Sequence, residues 1–203
     1  FNQWRVNGMS TTFDVYPGNA IIPTFEDLLA LGTTNFHKFL SSQGIASRPT
    51  LQVRVFQKHE DTPIPLVLSS PARWSEEQYA WFHIDGHLER GTDVYFGQND
   101  DFNERFKAEE ILNQHNLLGD AQVQACLAVR HHWWFRRRAE ASGTVSVLFG
   151  ILAASMAKLT DGLVHSYDGA WDVSMLPATP DDFLSFYFVP KYCGADRQWV
   201  SER

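Results

Sequence analysis

Trp133-Trp134-Phe135-Arg136-Arg137-Arg138, then Val145 to Leu159, Asp161-Gly162, Leu163 to Tyr167 and Pro180 to Tyr187: this run of the chain decides the fold. The first six residues read as an aromatic, arginine-rich strand. Val145 to Leu159 is almost wholly apolar, which predicts a buried helix, and Asp161-Gly162 supplies its stop. Leu163 to Tyr167 predicts the next strand. Thr179 stands as an N-cap, Pro180 at the first helical position and Asp181-Asp182 in the first turn, so a short helix follows with Phe183, Leu184, Tyr187 and Phe188 on one face and Pro190 closing it. Together these make a βαβ-like unit with a helical cap.

Working outward, Phe13 and Val15 alternate with Thr12, Asp14 and Tyr16, a strand ended by Pro17-Gly18. Thr24 with Glu26 and Asp27 opens an amphipathic helix in which Phe25, Leu28, Leu29, Phe36, Phe39 and Leu40 recur at helical spacing up to Gly44. Leu51 to Phe56 and Ile64 to Leu68 read as strands. Trp74 to Arg90 reads as a turn followed by a strand at Tyr79 to Ile84, and Asp93 to Phe96 as its hairpin partner. The charge pattern of Phe102 to Leu118 predicts a helix with a Gly119 stop. Ala121 to Arg130 fits a helix or a buried strand, since Val123, Cys126, Leu127 and Val129 satisfy both periods; helix is preferred. Helices and strands do not alternate strictly, which predicts an α+β single domain with a mixed, mostly antiparallel sheet and helices packed on one face. Residues 1–10 read as an N-terminal extension, with Met9 as an alternative start, residues 11–190 as the domain and 191–203 as a C-terminal tail.

Composition narrows the class. Apolar residues at 44%, with seven tryptophans and fifteen phenylalanines, supply a core, and 20% charge is ordinary for a globular chain. A net charge of −7 argues against nucleic acid as the partner of the whole surface. The two cysteines, Cys126 and Cys193, form no framework and no CxxC, which points to a reducing, cytoplasmic setting. The apolar run Val145 to Ala157 falls short of the roughly 20 residues a membrane span needs, and no signal-peptide pattern follows either start.

Chemistry-bearing patterns are sparse. His83-Ile84-Asp85-Gly86-His87, with Glu89 and Asp93, offers the imidazoles and carboxylates that zinc or non-haem iron takes. The spacing matches no helical zinc motif, however, and a polar hairpin at the sheet edge is the preferred reading. His131-His132 with the Trp133 to Arg138 run mixes basic and aromatic residues, but in a strand Arg136 and Arg138 face away from Arg137, which halves any phosphate-binding patch. His165 with Asp168 or Asp172 is a candidate acid–base pair. Cys126 sits in an apolar context and reads as inert. The sequence contains no GxSxG elbow, no phosphate loop and no dinucleotide turn, so no cofactor is expected.

Leu159-Thr160-Asp161-Gly162, then Leu163 to Asp168 and Ala170-Trp171-Asp172, resembles the helix, stop, strand and aspartate-rich turn of small α+β bacterial proteins of immunity type. The resemblance covers under a third of the chain, and Asp161 stands where those families often have a second glycine. It implies a cytoplasmic, bacterial, non-enzymatic protein that binds and neutralises a cognate toxin. On this reading the contacts come from acidic and aromatic surface: Asp85 and Asp93 on the hairpin, Asp100 and Asp101, and Asp168, Trp171 and Asp172. The alternative is a small metal-dependent hydrolase using His83, His87 and Asp93. A structural component that self-associates is a third reading, and homo-oligomers are compatible with all three.

Overall fold

The computed structural model describes residues 11–98, 120–138, 143–167 and 175–189. The elements are β1 (Thr11–Tyr16), α1 (Phe25–Ser42), β2 (Leu51–Gln57), β3 (Pro63–Ile64), β4 (Gln78–Ile84), β5 (His87–Gln98), α2 (Asp120–Ala128), β6 (His131–Arg137), α3 (Gly143–Leu159), β7 (Leu163–His165) and α4 (Pro180–Tyr187). The strands form one open sheet in the order β3-β2-β4-β5-β6-β1-β7, and every neighbouring pair is antiparallel. β6 and β7 flank β1 and run antiparallel to it, so they are parallel to each other. The βαβ-like unit is therefore present, with β1 inserted between its strands and α3 packed across all three.

Alternation gives the sheet two different faces. The inner face carries Phe13, Val15, Phe82, Val94, Trp133 and Phe135, all fully buried, beneath α1, α3 and α4. In α3, Val145 through Ala157 are buried on every side, because the sheet lies below the helix while α1 and α4 flank it. Phe149 stacks on Phe13 with ring centroids 4.5 Å apart, and Phe183 meets Phe13 edge-on at 4.9 Å, which ties α3 and α4 to β1. One hydrophobic cluster spans these elements and makes a single α+β domain. The short α2 takes the other side, where Val123 and Cys126 pack with Tyr16 and Leu163.

Local chemistry explains the helix boundaries. Thr24 accepts from the Asp27 N–H at 3.0 Å and the Asp27 carboxylate accepts from the Thr24 N–H at 3.1 Å, a reciprocal cap on α1. Thr179 caps α4 in the same position, with Pro180 in its first turn. At the end of α3, Asp161 adopts a left-handed φ of 49° and the Gly162 N–H donates to the Ala157 carbonyl at 2.8 Å.

Three expectations are corrected. The strand anticipated over Ile64 to Leu68 shrinks to Pro63–Ile64, since prolines 63 and 65 interrupt a ladder; the carbonyls of Leu68 and Ser70 instead receive the N–H groups of Glu26 and Phe25 at the start of α1. The strand anticipated over Leu163 to Tyr167 ends at His165. The polar hairpin is not at a sheet edge, because β4 and β5 are interior strands. It is also tighter than expected: Asp85-Gly86 alone turns the chain, with Gly86 at a φ of 74°, so β5 begins at His87. The helix anticipated over Phe102 to Leu118, the extension 1–10 and the tail 191–203 lie outside the described residues.

Candidate functional site

The outer face carries a row of stacked rings across five strands. Phe56 of β2 stacks on Tyr79 of β4 at 5.4 Å, Tyr79 meets Tyr95 of β5 at 6.1 Å, and Tyr95 stacks on Trp134 of β6 at 5.4 Å. Trp134 then stacks on His132 at 5.1 Å, and His132 on Tyr16 of β1 at 5.7 Å. The register produces this row: Phe56 is directly opposite Tyr79, and Tyr95 directly opposite Trp134, so cross-strand neighbours share contact surface. Tyr79, Trp81, Tyr95 and Trp134 remain half-buried, so solvent reaches the middle of the row.

Two glycines in β5 seat the indoles. A Cβ on Gly97 would fall 2.7 Å from the Trp134 ring, and one on Gly91 would fall 2.6 Å from the Trp81 ring. Each indole therefore occupies space that a side chain at the glycine would need, and at Gly91 the Phe82 carbonyl oxygen, 2.5 Å from that Cβ, also requires the glycine. The Trp81 Nε1–H donates to the Leu88 carbonyl at 2.9 Å, which fixes its orientation.

Charge is threaded through the same surface. The Arg136 Nε–H donates to Asp93 Oδ2 at 3.0 Å, and its Nη2 meets the same oxygen. Asp93 is 2% exposed and Arg136 36%, so the carboxylate has one committed partner. Burial opposes the charged guanidinium, and the Asp93 hydrogen bond and charge outweigh it, pushing the Arg136 pKa up. The guanidinium also lies over Tyr95 at 5.4 Å, and that of Arg138 over Trp81 at 6.0 Å. Burial, then the Asp93 charge, pushes the phenols of Tyr79 and Tyr95 up. Arg137 turns inward to Thr11 Oγ1 at 3.1 Å and Ser146 Oγ at 2.6 Å, which is the alternation the sequence implies.

The sequence candidates separate. Asp93 is held by Arg136, whereas Asp85 and His87 sit exposed at the hairpin tip and line a cavity with Arg90. His83 is 2% exposed on the outer face, where burial lowers its pKa. His83, His87 and Asp93 thus do not converge, and among the described residues no group of three His, Cys, Asp or Glu could hold a metal ion. Asp100, Asp101, Asp168, Trp171 and Asp172 lie outside the described residues. His165 stands directly opposite Asp14 of β1, with Tyr167 edge-on at 4.7 Å, so the structure supplies a carboxylate neighbour that the sequence reading did not choose. Cys126 is buried and its thiol is pushed up to about 11, which leaves it inert.

Among the described residues no helix is long and apolar enough to cross a membrane. Comparison of the chain with protein-family models, curated proteins and solved structures gave no match. The fold is an open, antiparallel α+β sheet with α1, α3 and α4 on one face and, on the other, an aromatic, arginine-bearing surface beside α2.

Proposed function

We propose that this protein is a non-enzymatic binding module that docks a partner protein on the outer face of its sheet. The observation that carries the reading is the half-exposed centre of the ring row, Tyr79, Trp81, Tyr95 and Trp134, flanked by the exposed guanidiniums of Arg54 and Arg138. Tyr, Trp and Arg dominate interface energetics. These rings are already stacked and seated, so binding immobilises little that is not immobile beforehand. The partner this surface suits presents apolar side chains to the rings and carboxylates to Arg54 and Arg138. This moves the surface anticipated from the sequence away from Asp93, whose carboxylate is engaged, and onto the aromatic face. A bacterial, cytoplasmic protein that neutralises a toxin is the sharper form of the same proposal; the free, buried Cys126 is compatible with a reducing compartment.

The test uses tagged wild-type chain and the variants Tyr95→Ala, Trp134→Ala and Arg138→Glu, all at solvent-accessible positions. The protein captured by wild type is purified and its affinity for each chain measured. A central hot spot contributes about 2 kcal/mol or more, so each ring variant is expected to weaken binding by about thirtyfold or more. Equal affinity for all four chains, with unchanged circular dichroism, overturns the surface. Tighter binding of an oligonucleotide than of any protein overturns the partner class. Rescue of growth by wild-type chain, but not by Trp134→Ala, on co-expression with the captured partner identifies the toxin-neutralising form.

A further inference from the structure

The hairpin of β4 and β5 contains more chain than its ladder needs. Ile84 faces His87, but the preceding residue, His83, faces Gly91, so Leu88, Glu89 and Arg90 are extra residues on β5. Both ends of this bulge are fixed. On the turn side the Asp85 N–H donates to the Thr50 carbonyl at 2.9 Å. On the other side Gly91 approaches the Phe82 carbonyl oxygen so closely that no side chain fits there. The middle is open to water, with Leu88 45% exposed and the Glu89 side chain 70%. What ties it to the sheet is the Leu88 carbonyl, which accepts from the Trp81 Nε1–H at 2.9 Å.

His83 lies on the same outer face, between Trp81 and the turn. Its cross-strand neighbours are Gln52, which is exposed, and Gly91, which has no side chain. Neither covers an imidazole, yet His83 is buried, and its Nδ1 has no hydrogen-bond partner. The charged and titratable groups around it come from every neighbouring element: Arg54 on β2, Asp85 at the turn, His87, Glu89 and Arg90 on β5, and Arg138, whose guanidinium lies over Trp81. Burial is the largest influence on the His83 pKa and pushes it down; the Trp81 backbone and Asp85 act the other way, and Arg54 acts with burial.

We infer that Leu88, Glu89 and Arg90 form a strap over His83 that acid releases, and that its release frees the Trp81 indole on the outer face. The chain leaves the ladder at His87, reaches Trp81 with the Leu88 carbonyl and returns opposite His83, a path that crosses the imidazole. Under the shut strap a proton on His83 places a charge out of water and near Arg54. Under the open strap the ring meets water and takes the proton at its ordinary value of 6.5. The open form therefore holds the proton more tightly, and falling pH shifts the population toward it. Opening breaks the Trp81–Leu88 hydrogen bond and so loosens one of the four central rings. That this regulates docking rests on the outer face being the docking surface; the strap itself does not.

The experiment is nuclear magnetic resonance of the nitrogen-15-labelled full chain, with the Trp81 indole assigned from Trp81→Phe and its protection from exchange with water measured at about pH 7.5 and about pH 5.5. Corrected for intrinsic exchange, the protection is expected to fall severalfold, and by no more than the roughly tenfold that one proton permits over this range. The indole of Trp133, which donates to the Ala72 carbonyl in the core, is expected to keep its protection. His83→Gln is expected to abolish the fall. Arg54→Met, at an exposed position that keeps the fold, is expected to shrink it, because it removes a charge that opposes protonation under the strap. His87→Gln, which removes the other imidazole of the hairpin, leaves the fall in place. Constant protection of Trp81, an equal fall at Trp133, a fall that survives in His83→Gln or one that vanishes in His87→Gln each overturn the inference. The measurement uses the free chain, so its failure is distinct from failure of the outer-face docking test.

Discussion

Gly150→Ala sets two effects of opposite sign against each other in the middle of α3. Replacing glycine by alanine inside a helix ordinarily stabilises it by about 1 kcal/mol. Here the new Cβ would stand 2.1 Å from Cε1 of Tyr187, 2.2 Å from Cζ and 2.6 Å from the hydroxyl oxygen, where ordinary contact begins at 3.4 Å. Tyr187 is fully buried, stacked on Phe183 at 4.8 Å and edge-on to Phe13 at 5.6 Å, so it has no empty space to enter. It must retreat by about 1 Å or more, and its hydroxyl then loses the Ser146 carbonyl to which it donates. Overpacking of this kind costs about 1–3 kcal/mol. The lost hydrogen bond adds about 1 kcal/mol. The clash therefore wins, with a net destabilisation of about 2 kcal/mol. Urea unfolding followed by tryptophan fluorescence measures it. A second variant, Tyr187→Leu, is destabilising alone, but the double variant is expected to be more stable than the two separate losses predict, because the smaller side chain removes the collision. A Gly150→Ala chain as stable as wild type or more so refutes the packing of α4 on α3, and additive losses refute the clash as their cause.

Two further outcomes follow from buried charge and buried imidazoles. Asp93→Ala leaves the Arg136 guanidinium half-buried beside two phenols, and is expected to cost about 3 kcal/mol in urea unfolding, whereas Asp93→Ala with Arg136→Met is expected to recover most of that loss; a double variant no better than the single one contradicts this account of the pair. His83 and His131 both have pKa values lowered by burial from 6.5, so the unfolded chain takes up protons that the folded chain refuses. Their contribution to stability is complete above about pH 6.5 and is lost as pH falls through the lowered values. Unfolding midpoints measured at about pH 7.5 and about pH 5.5 should therefore differ, and glutamine at both positions should narrow the gap. Equal narrowing by a control substitution at the exposed His59 would point to net charge instead.

Local signals in the sequence carried most of the fold. Thr24 with Asp27 and Thr179 with Pro180 specify helix starts through contacts within one turn, and the Val145 to Ala157 run is too apolar for any position but a helix enclosed on all sides. What spans strands was harder to read. Asp93 lies 43 residues from Arg136, and nothing in either neighbourhood announces a pair that forms because β5 and β6 align in one register. The candidate metal set fails for a related reason: the bulge after His87 breaks the simple alternation that would relate His87 to His83 and Asp93. The ring row was partly visible. Alternation puts Trp134 opposite in sense to Trp133 and Phe135, and Tyr95 opposite in sense to Val94 and Phe96, which marks both as outer-face aromatics. Only the sheet order brings them, with Tyr79 and Phe56, into one line.

The composition of β5 argues that this line exists for more than stability. Glycine inside a strand weakens it, having no side chain to pack and the most conformational freedom to lose, yet Gly91 and Gly97 both occur in β5, an interior strand. A buried ion pair is seldom better than a well-packed apolar pair of the same volume, yet Asp93 stands between those glycines and holds Arg136 against Tyr95. The inner face of the same strand makes no such concession: Val94 and Phe96 pack in the apolar core beside Trp133 and Phe135. Two glycines, one buried carboxylate and one half-buried arginine pack against Trp81, Tyr95 and Trp134, each of which keeps part of its ring in water. A sheet face optimised for stability alone would place apolar side chains where Asp93 and Arg136 stand, whereas Gly91 would stay, because a Cβ there would fall 2.5 Å from the Phe82 carbonyl oxygen. Gly91 meets Trp81, Gly97 meets Trp134 and the Asp93–Arg136 pair meets Tyr95, so on the outer face of β5 and its neighbour β6 each local cost falls against one of these rings.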